Sequence, residues 1–240
     1  MKIISAEFIT SAAAGGDAKG IPQDGLPHIA MTGRSNVGKS TLLNALCRSK
    51  VARTSAAPGK TRLANIYRVT VEGGRPGKWS LYLVDLPGYG YARGGADAAA
   101  ELRAVAERYF EAGRGPRTAD RPSTKSGAAL SLSPLDLARG DPEPAEGSKG
   151  REPAALLLVD GRHPGLESDI QAAHWLTAMH VDFRVVATKI DKLSRSERAR
   201  NLKALELTFG MPALPVSAAS GEGMDTLWKT IASLARTGHA

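Results

Sequence analysis

The stretch GRSNVGKST, residues 33–41, decides the fold. It matches G-x-x-x-x-G-K-[ST], a loop whose glycines let backbone N–H groups close around a polyphosphate. HIAMTG before it (residues 28–33) reads as a strand, and GKSTLLNALCRS (residues 38–49) reads as a helix. That setting is the one the chemistry requires. A helix N-terminus carries partial positive charge, Lys39 reaches β- and γ-oxygens, and Ser40 offers a hydroxyl to Mg²⁺. Gly33, Arg34, Ser35, Asn36, Val37, Gly38, Lys39, Ser40 and Thr41 are the expected phosphate-binding set, with Ser40 a metal ligand. An ordinary glycine-rich turn would leave Lys39 no reason to stand at a helix start.

Three further segments fall in order behind this loop. DLPGYGYA (residues 85–92) follows the apolar run LYLV. Asp85 is thereby placed to hold a Mg²⁺-bound water, and the Gly88 N–H to meet a γ-phosphate, with Leu86 and Pro87 between them. TKID (residues 188–191) follows FRVVA, and Ser217 and Ala218 follow LPV. Guanine presents N1–H and N2–H₂ donors to a carboxylate and adenine does not, so Asp191 is the expected base selector. Lys189 would lay its aliphatic stem over the base and the Ala218 N–H would face O6, with Thr188, Ile190, Val216 and Ser217 beside them. Each short match has a plain alternative: Asp191 as a solvated loop acid, Ser217 as a turn residue. Their joint order at the C-terminal ends of strands, where open α/β sheets bind ligands, carries the guanine reading.

The rest of the chain fits the same plan. ANIYRVTV (residues 64–71) and WSLYLVDL (residues 79–86) read as strands joined by the turn EGGRPGK. AALLLVDG (residues 154–161) and FRVVATKI (residues 183–190) are unbroken apolar runs of the kind central strands show. LESDIQAAHWLTAM (residues 166–179) is amphipathic, turning Leu166, Ile170, Ala173 and Leu176 or Trp175 to a core. Ser194 with Glu197 three residues on forms a capping box for the next helix, and GMDTLWKTIASLAR (residues 223–236) is the last one. Such alternation predicts an α/β fold: a mostly parallel central sheet with one antiparallel edge strand and helices on both faces. A single domain over residues 1–240 is expected, carrying a low-complexity, disordered insertion over residues 113–152 with a short helix near residues 133–138.

Composition narrows the class. No run is long and pure enough to span a bilayer. MKIISAEFITSAAAGG superficially suggests a signal peptide, but Glu7 interrupts its apolar core and Phe8 and Ile9 continue an alternation. A first strand of a cytoplasmic protein is expected. The single cysteine, Cys47, excludes an internal disulfide and reads as a small buried hydrophobe. A net charge of +8 and a pI near 9.7 favour a polyanionic partner, the plain alternative being a solvated basic surface. Part of the excess lies in residues 183–203, with Arg184, Lys189, Lys192, Arg195, Arg198, Arg200 and Lys203.

Together GRSNVGKSTLLNAL, PGKTR (residues 58–62), DLPGYGYA, VDGRHPGLESDIQAAHWL and TKIDKLSR resemble the EngB (YihA/YsxC) family of bacterial Ras-like GTPases, related to Era, EngA and TrmE. The resemblance covers nearly the whole chain except the insertion. It implies a Ras-like P-loop GTPase domain that turns GTP into GDP and phosphate, slowly without help, with one Mg²⁺. It also implies that Thr61 joins Ser40 on Mg²⁺, that Lys39, Thr61, Gly88 and Asn36 serve hydrolysis, and that Gly59, Lys60, Arg62 and Leu63 flank the nucleotide. Thr188 stands where many GTPases carry Asn, which is usual in this family.

Tyr89 occupies the position of the water-orienting Gln of Ras-type enzymes, and a phenol does not reproduce an amide's paired donor and acceptor. Two readings of Asn36 stand open: it helps bind K⁺ beside the phosphates, or it only orders the loop. Tyr89 and Tyr91 are expected as surface aromatics on a loop that meets a partner. The resemblance implies a switch that helps assemble the large ribosomal subunit through ribosomal RNA or a subunit precursor, and is needed for septation. The alternatives are a nucleotide-gated protein of the division machinery with incidental hydrolysis, and a P-loop kinase or ATPase, which TKID and SA argue against. Nothing in the sequence demands more than a monomer.

Overall fold

The computed structural model describes residues 1–12, 20–52, 63–73, 77–89, 95–113 and 152–237. Gly59, Lys60, Thr61, Arg62 and Tyr91 lie outside the described residues, as does the insertion between residues 113 and 152 with its expected short helix.

The strands are β1 (Lys2–Ala12), β2 (His28–Gly33), β3 (Ala64–Glu72), β4 (Lys78–Asp85), β5 (Ala154–Asp160), β6 (Phe183–Thr188) and β7 (Leu214–Pro215). The helices are α1 (Lys39–Cys47), α2 (Gly95–Gly113), α3 (Glu167–Ala178), α4 (Arg195–Phe209) and α5 (Met224–Thr237). One sheet orders the strands β1-β3-β4-β2-β5-β6-β7. From β4 to β7 every pairing is parallel, whereas β3 runs antiparallel to both β4 and β1. The antiparallel strand therefore sits at one margin, as the EGGRPGK turn predicts, and β1 lies outside it. β1 keeps its register with β3 only through shifts at Ile3/Ser5 and Phe8/Thr10, irregularities common on sheet edges.

Alternation within the central strands feeds two cores. On β2, Ile29 and Met31 pack with Leu42, Leu43 and Leu46 of α1 and Leu227, Trp228 and Ile231 of α5. Ala30 faces the other side, with Val105, Tyr109 and Phe110 of α2, Leu176 of α3 and Leu205 of α4. Two-sided burial explains why β5 reads as an unbroken apolar run: all of its residues are buried. The Ser194–Glu197 capping box forms as expected, and Gly210 ends α4 in a left-handed conformation.

Helix α2 is not among the elements expected above. Its alanines blur the pattern, but Val105, Ala106, Tyr109 and Phe110 recur at helical spacing and all are buried. On α3 the buried stripe is Asp169, Ala172, Ala173 and Leu176. Leu166 and Ile170, expected to face the core, are only half-buried, and a carboxylate takes their place.

Where α2 meets β2, His28 Nδ1 lies 2.9 Å from the Tyr109 hydroxyl, and its ring packs 4.8 Å from that of Tyr82. The Tyr82 hydroxyl donates to Asp24 at 2.8 Å. Burial lowers the His28 pKa from 6.5 to about 4. The unfolded chain takes up this proton near pH 6.5 while the folded chain resists it to about 4, so stability is full above that window and falls as pH drops through it. The loss attributable to His28 is about 3 kcal/mol across the window. Urea unfolding between pH 7 and 4 should show a steeper loss for the unmodified chain than for His28→Gln; parallel curves would refute the assignment.

Candidate functional site

The loop between β2 and α1 has the backbone its sequence demands. Asn36 takes φ 62°, and Gly38, the residue ahead of α1, takes φ 111°. Asparagine tolerates the left-handed region better than most residues, and glycine adopts it freely. A Cβ on Gly33 would lie 2.6 Å from the Leu158 carbonyl oxygen, so this position requires glycine for close approach to β5. No acidic residue occupies the first turn of α1, which leaves its N-terminal amides to an anion.

Lys39 is buried, its Nζ donating to the carbonyls of Gly33 (2.8 Å) and Arg34 (3.0 Å). Burial lowers its pKa to about 8, against the opposing pull of Asp85. Asp85, at the end of β4, is 2% exposed and accepts from Ser40 Oγ at 2.7 Å. Its other oxygen, Oδ1, is buried with no hydrogen-bond partner among the described residues. Burial raises its carboxyl pKa, with Lys39 and Ser40 pulling it down. The Ser40 hydroxyl and the Asp85 carboxylate with its orphaned oxygen form a hard-oxygen pair that fits Mg²⁺. Among the described residues no group of three or more His, Cys, Asp or Glu could hold a metal ion.

The turn after β4 closes down on the loop. Ser35 N–H donates to the Tyr89 carbonyl (3.0 Å) and Ser35 Oγ to the Gly88 carbonyl (3.3 Å). Leu86 and Pro87 are buried between. Tyr89 is not the surface aromatic expected from sequence. Its ring packs against the core, and its hydroxyl donates to Asp169 Oδ1 at 3.0 Å. Burial and the Asp169 charge push its pKa far upward, keeping it a donor.

At the other end of the loop, Thr188 Oγ1 donates to the carbonyls of Val37 (2.8 Å) and Val159 (3.1 Å). Lys189, at φ 59°, reaches the Asn36 carbonyl (2.6 Å) and Asp160 (3.0 Å). Arg162 forks onto the same Asp160 with bonds of 2.9 and 2.8 Å. Asp160 therefore stays ionised, held well below the ordinary carboxylate range. Arg162 has a structural task here. Ile190 N–H donates to the buried Val216 (3.4 Å), and Ser217 Oγ donates to Asp191 Oδ1 (2.6 Å), which lowers the Asp191 pKa. Ala218 follows, half-buried, and Asp191 itself is exposed.

Gly33 to Thr41, Asp85 to Gly88, Thr188 to Asp191 and Val216 to Ala218 thus gather at the C-terminal ends of β2, β4, β6 and β7. Leu63 is exposed just ahead of β3. Sequence reasoning missed Asp160, which Arg162 two residues on and Lys189 of another segment hold, and Asp169, whose partners come from other elements. Of the seven cations in residues 183–203, Arg184, Lys189, Lys192 and Arg198 are engaged by Asp182, Asp160, Asp191 and Glu222. The basic stretch is therefore a less open surface than its composition suggests.

Residues 28–114 match the protein family described as 50S ribosome-binding GTPase. A curated relative from Pelotomaculum thermopropionicum, "Probable GTP-binding protein EngB", is 38% identical, covering 96% of this chain and 96% of its own. The chain belongs to the EngB family of GTP-binding proteins. It is a GTPase with the Ras-like fold. Among solved structures, a probable GTP-binding protein EngB superposes with TM-score 0.55 at 20% identity, covering 88% of this chain and 99% of that one. Era, solved with MgGDPNP and a segment of 16S ribosomal RNA, superposes with TM-score 0.59 at 20% identity, covering 87% of this chain and 56% of Era. Both likenesses concern the fold alone. Among the described residues of this EngB-family chain, no helix is long and apolar enough to cross a membrane.

Proposed function

We propose that this EngB-family GTPase is a single-domain nucleotide switch that binds GTP with Mg²⁺ and acts on the large ribosomal subunit during its assembly. The observation that carries the nucleotide half is the buried Asp85, joined to Ser40 at 2.7 Å and holding one unpartnered oxygen beside the phosphate loop. The ribosomal half is supported by the matching family's description and by a net charge of +8.

In this reading the loop amides and Lys39 take the phosphates, with Lys39 exchanging its two carbonyl partners for β- and γ-oxygens. Ser40 and Thr61 ligate the metal, and Asp85 holds a metal-bound water. A metal ion held there would supply positive charge to offset that of the phosphates. Gly88 N–H meets the γ-phosphate. Asp191, fixed by Ser217, accepts from guanine N1–H and N2–H₂, while Lys189 covers the base and Ala218 N–H faces O6. Asn36 stands beside the phosphates, where a K⁺ would offset charge developing in the transition state. Tyr89, turned into the core, supplies no group to orient water, so intrinsic hydrolysis is slow.

Three measurements test this. Calorimetry on Asp191→Asn should show GDP affinity reduced by about tenfold or more and xanthosine diphosphate gained, since xanthine carries a carbonyl where guanine carries the amino group. Retained GDP preference would remove Asp191 as selector. Hydrolysis should run faster in K⁺ than in Na⁺, with the difference lost in Asn36→Asp; equal rates would leave Asn36 a loop-ordering residue. The chain loaded with a non-hydrolysable GTP analogue should sediment with large-subunit precursors and release them as salt rises. Sedimentation equal with GDP, or none at all, would reject the ribosomal assignment.

A further inference from the structure

Asp169 stands on the buried face of a helix that contributes nothing else to the candidate site. It is 1% exposed, and it meets two separate parts of that site. The Tyr89 hydroxyl donates to its Oδ1 at 3.0 Å, and Arg34 Nε of the phosphate loop pairs with the same oxygen at 3.3 Å. Around this oxygen the two segments are also joined through backbone, with Ser35 N–H on the Tyr89 carbonyl at 3.0 Å and Arg34 bridged to Tyr89. The consequence falls on Gly88. A single carbon added there would lie 2.7 Å from Lys39 Nζ and 2.8 Å from Ser35 N. A γ-phosphate between Lys39 and Gly88 would meet those same atoms, so this arrangement is closed to it.

We propose that Asp169 is a positioning residue that holds Tyr89, and through it Gly88, over the phosphate loop, and so sets the balance between diphosphate and triphosphate. The inference rests on the nucleotide site assigned above. GDP leaves the Tyr89–Asp169 bond in place. GTP must break it, because Gly88 moves off Lys39 to admit the third phosphate. A ligand shifts a conformational equilibrium only by its differential affinity for the two states. Whatever stabilises the closed turn therefore weakens apparent GTP binding by the same factor and leaves GDP untouched. Breaking the bond frees a phenol and leaves Asp169 with Arg34 alone, which couples the third phosphate to α3.

Tyr89→Phe is the gentlest test, since it keeps the packed ring and removes only the hydroxyl; Asp169→Leu removes the accepting oxygen in nearly the same space. Calorimetry on the full chain, with Mg²⁺, measures Kd for GDP and for a non-hydrolysable GTP analogue. Each variant should bind GDP as the unmodified chain does and favour the analogue by at least about fivefold more, the scale of one hydrogen bond to a charged group. The double variant should gain no more than the larger single one, because both remove one contact. An unchanged ratio, a shift towards GDP, or loss of GDP binding in Tyr89→Phe would overturn the proposal. An unmodified chain that binds neither nucleotide would instead strike at the site assignment itself.

Discussion

The hydroxyl of Thr188 reaches back 151 residues to the carbonyl of Val37, and the ammonium of Lys189 reaches the carbonyl of Asn36 beside it. These two bonds hold a loop whose backbone lies in a region that most residues avoid, at Asn36 and Gly38. A loop that binds through its amide groups works only if those amides already converge, because ordering them at the moment of binding would cost affinity. The anchors come from the strand end that also carries Asp191, so the phosphate and base contacts proposed above would share one edge. Thr188 does this with a hydroxyl aimed at the carbonyls of Val37 and Val159.

The site concentrates charge in a dry place. Lys39, Asp85, Asp160 and Asp169 are all buried, and each is matched by named partners. Burial of unpaired charge is costly, so such groups persist where partners or ligands compensate them. The exception is informative: Asp85 keeps one oxygen unpaired among the described residues, at the spot where the hydroxyl of Ser40 completes a hard-oxygen pair. At the opposite end of β2, His28 is kept neutral by burial against Tyr109 and Tyr82, a purely structural use of a titratable group.

Much of the site was legible because its chemistry is local. GRSNVGKST specifies its own backbone, and DLPG, TKID and SA each follow an apolar run that alternation or length marks as a strand. β2 occupies the six residues of HIAMTG, and the capping box at Ser194 falls where three-residue spacing puts it. The misreadings share a cause. Tyr89 looked like a surface aromatic because its neighbours are glycines, and Asp169 was not singled out at all. They find each other 80 residues apart. Helix α2 escaped notice because its alanines carry little hydrophobic contrast, although Tyr109 and Phe110 anchor it.

By itself the sequence determined the fold class, the position of the strands along the chain, and which groups are candidates for phosphate, metal and base. Those depend on short-range spacing and on the chemistry of individual residues. The tertiary structure alone decided which side chains hold those groups in place: Asp160 steadying Lys189, Asp169 gripping Tyr89 and Arg34, and His28 buried beside Tyr109. A buried polar contact between distant elements is fixed by sheet order and helix packing, and no residue carries a mark of its partner in its own neighbourhood.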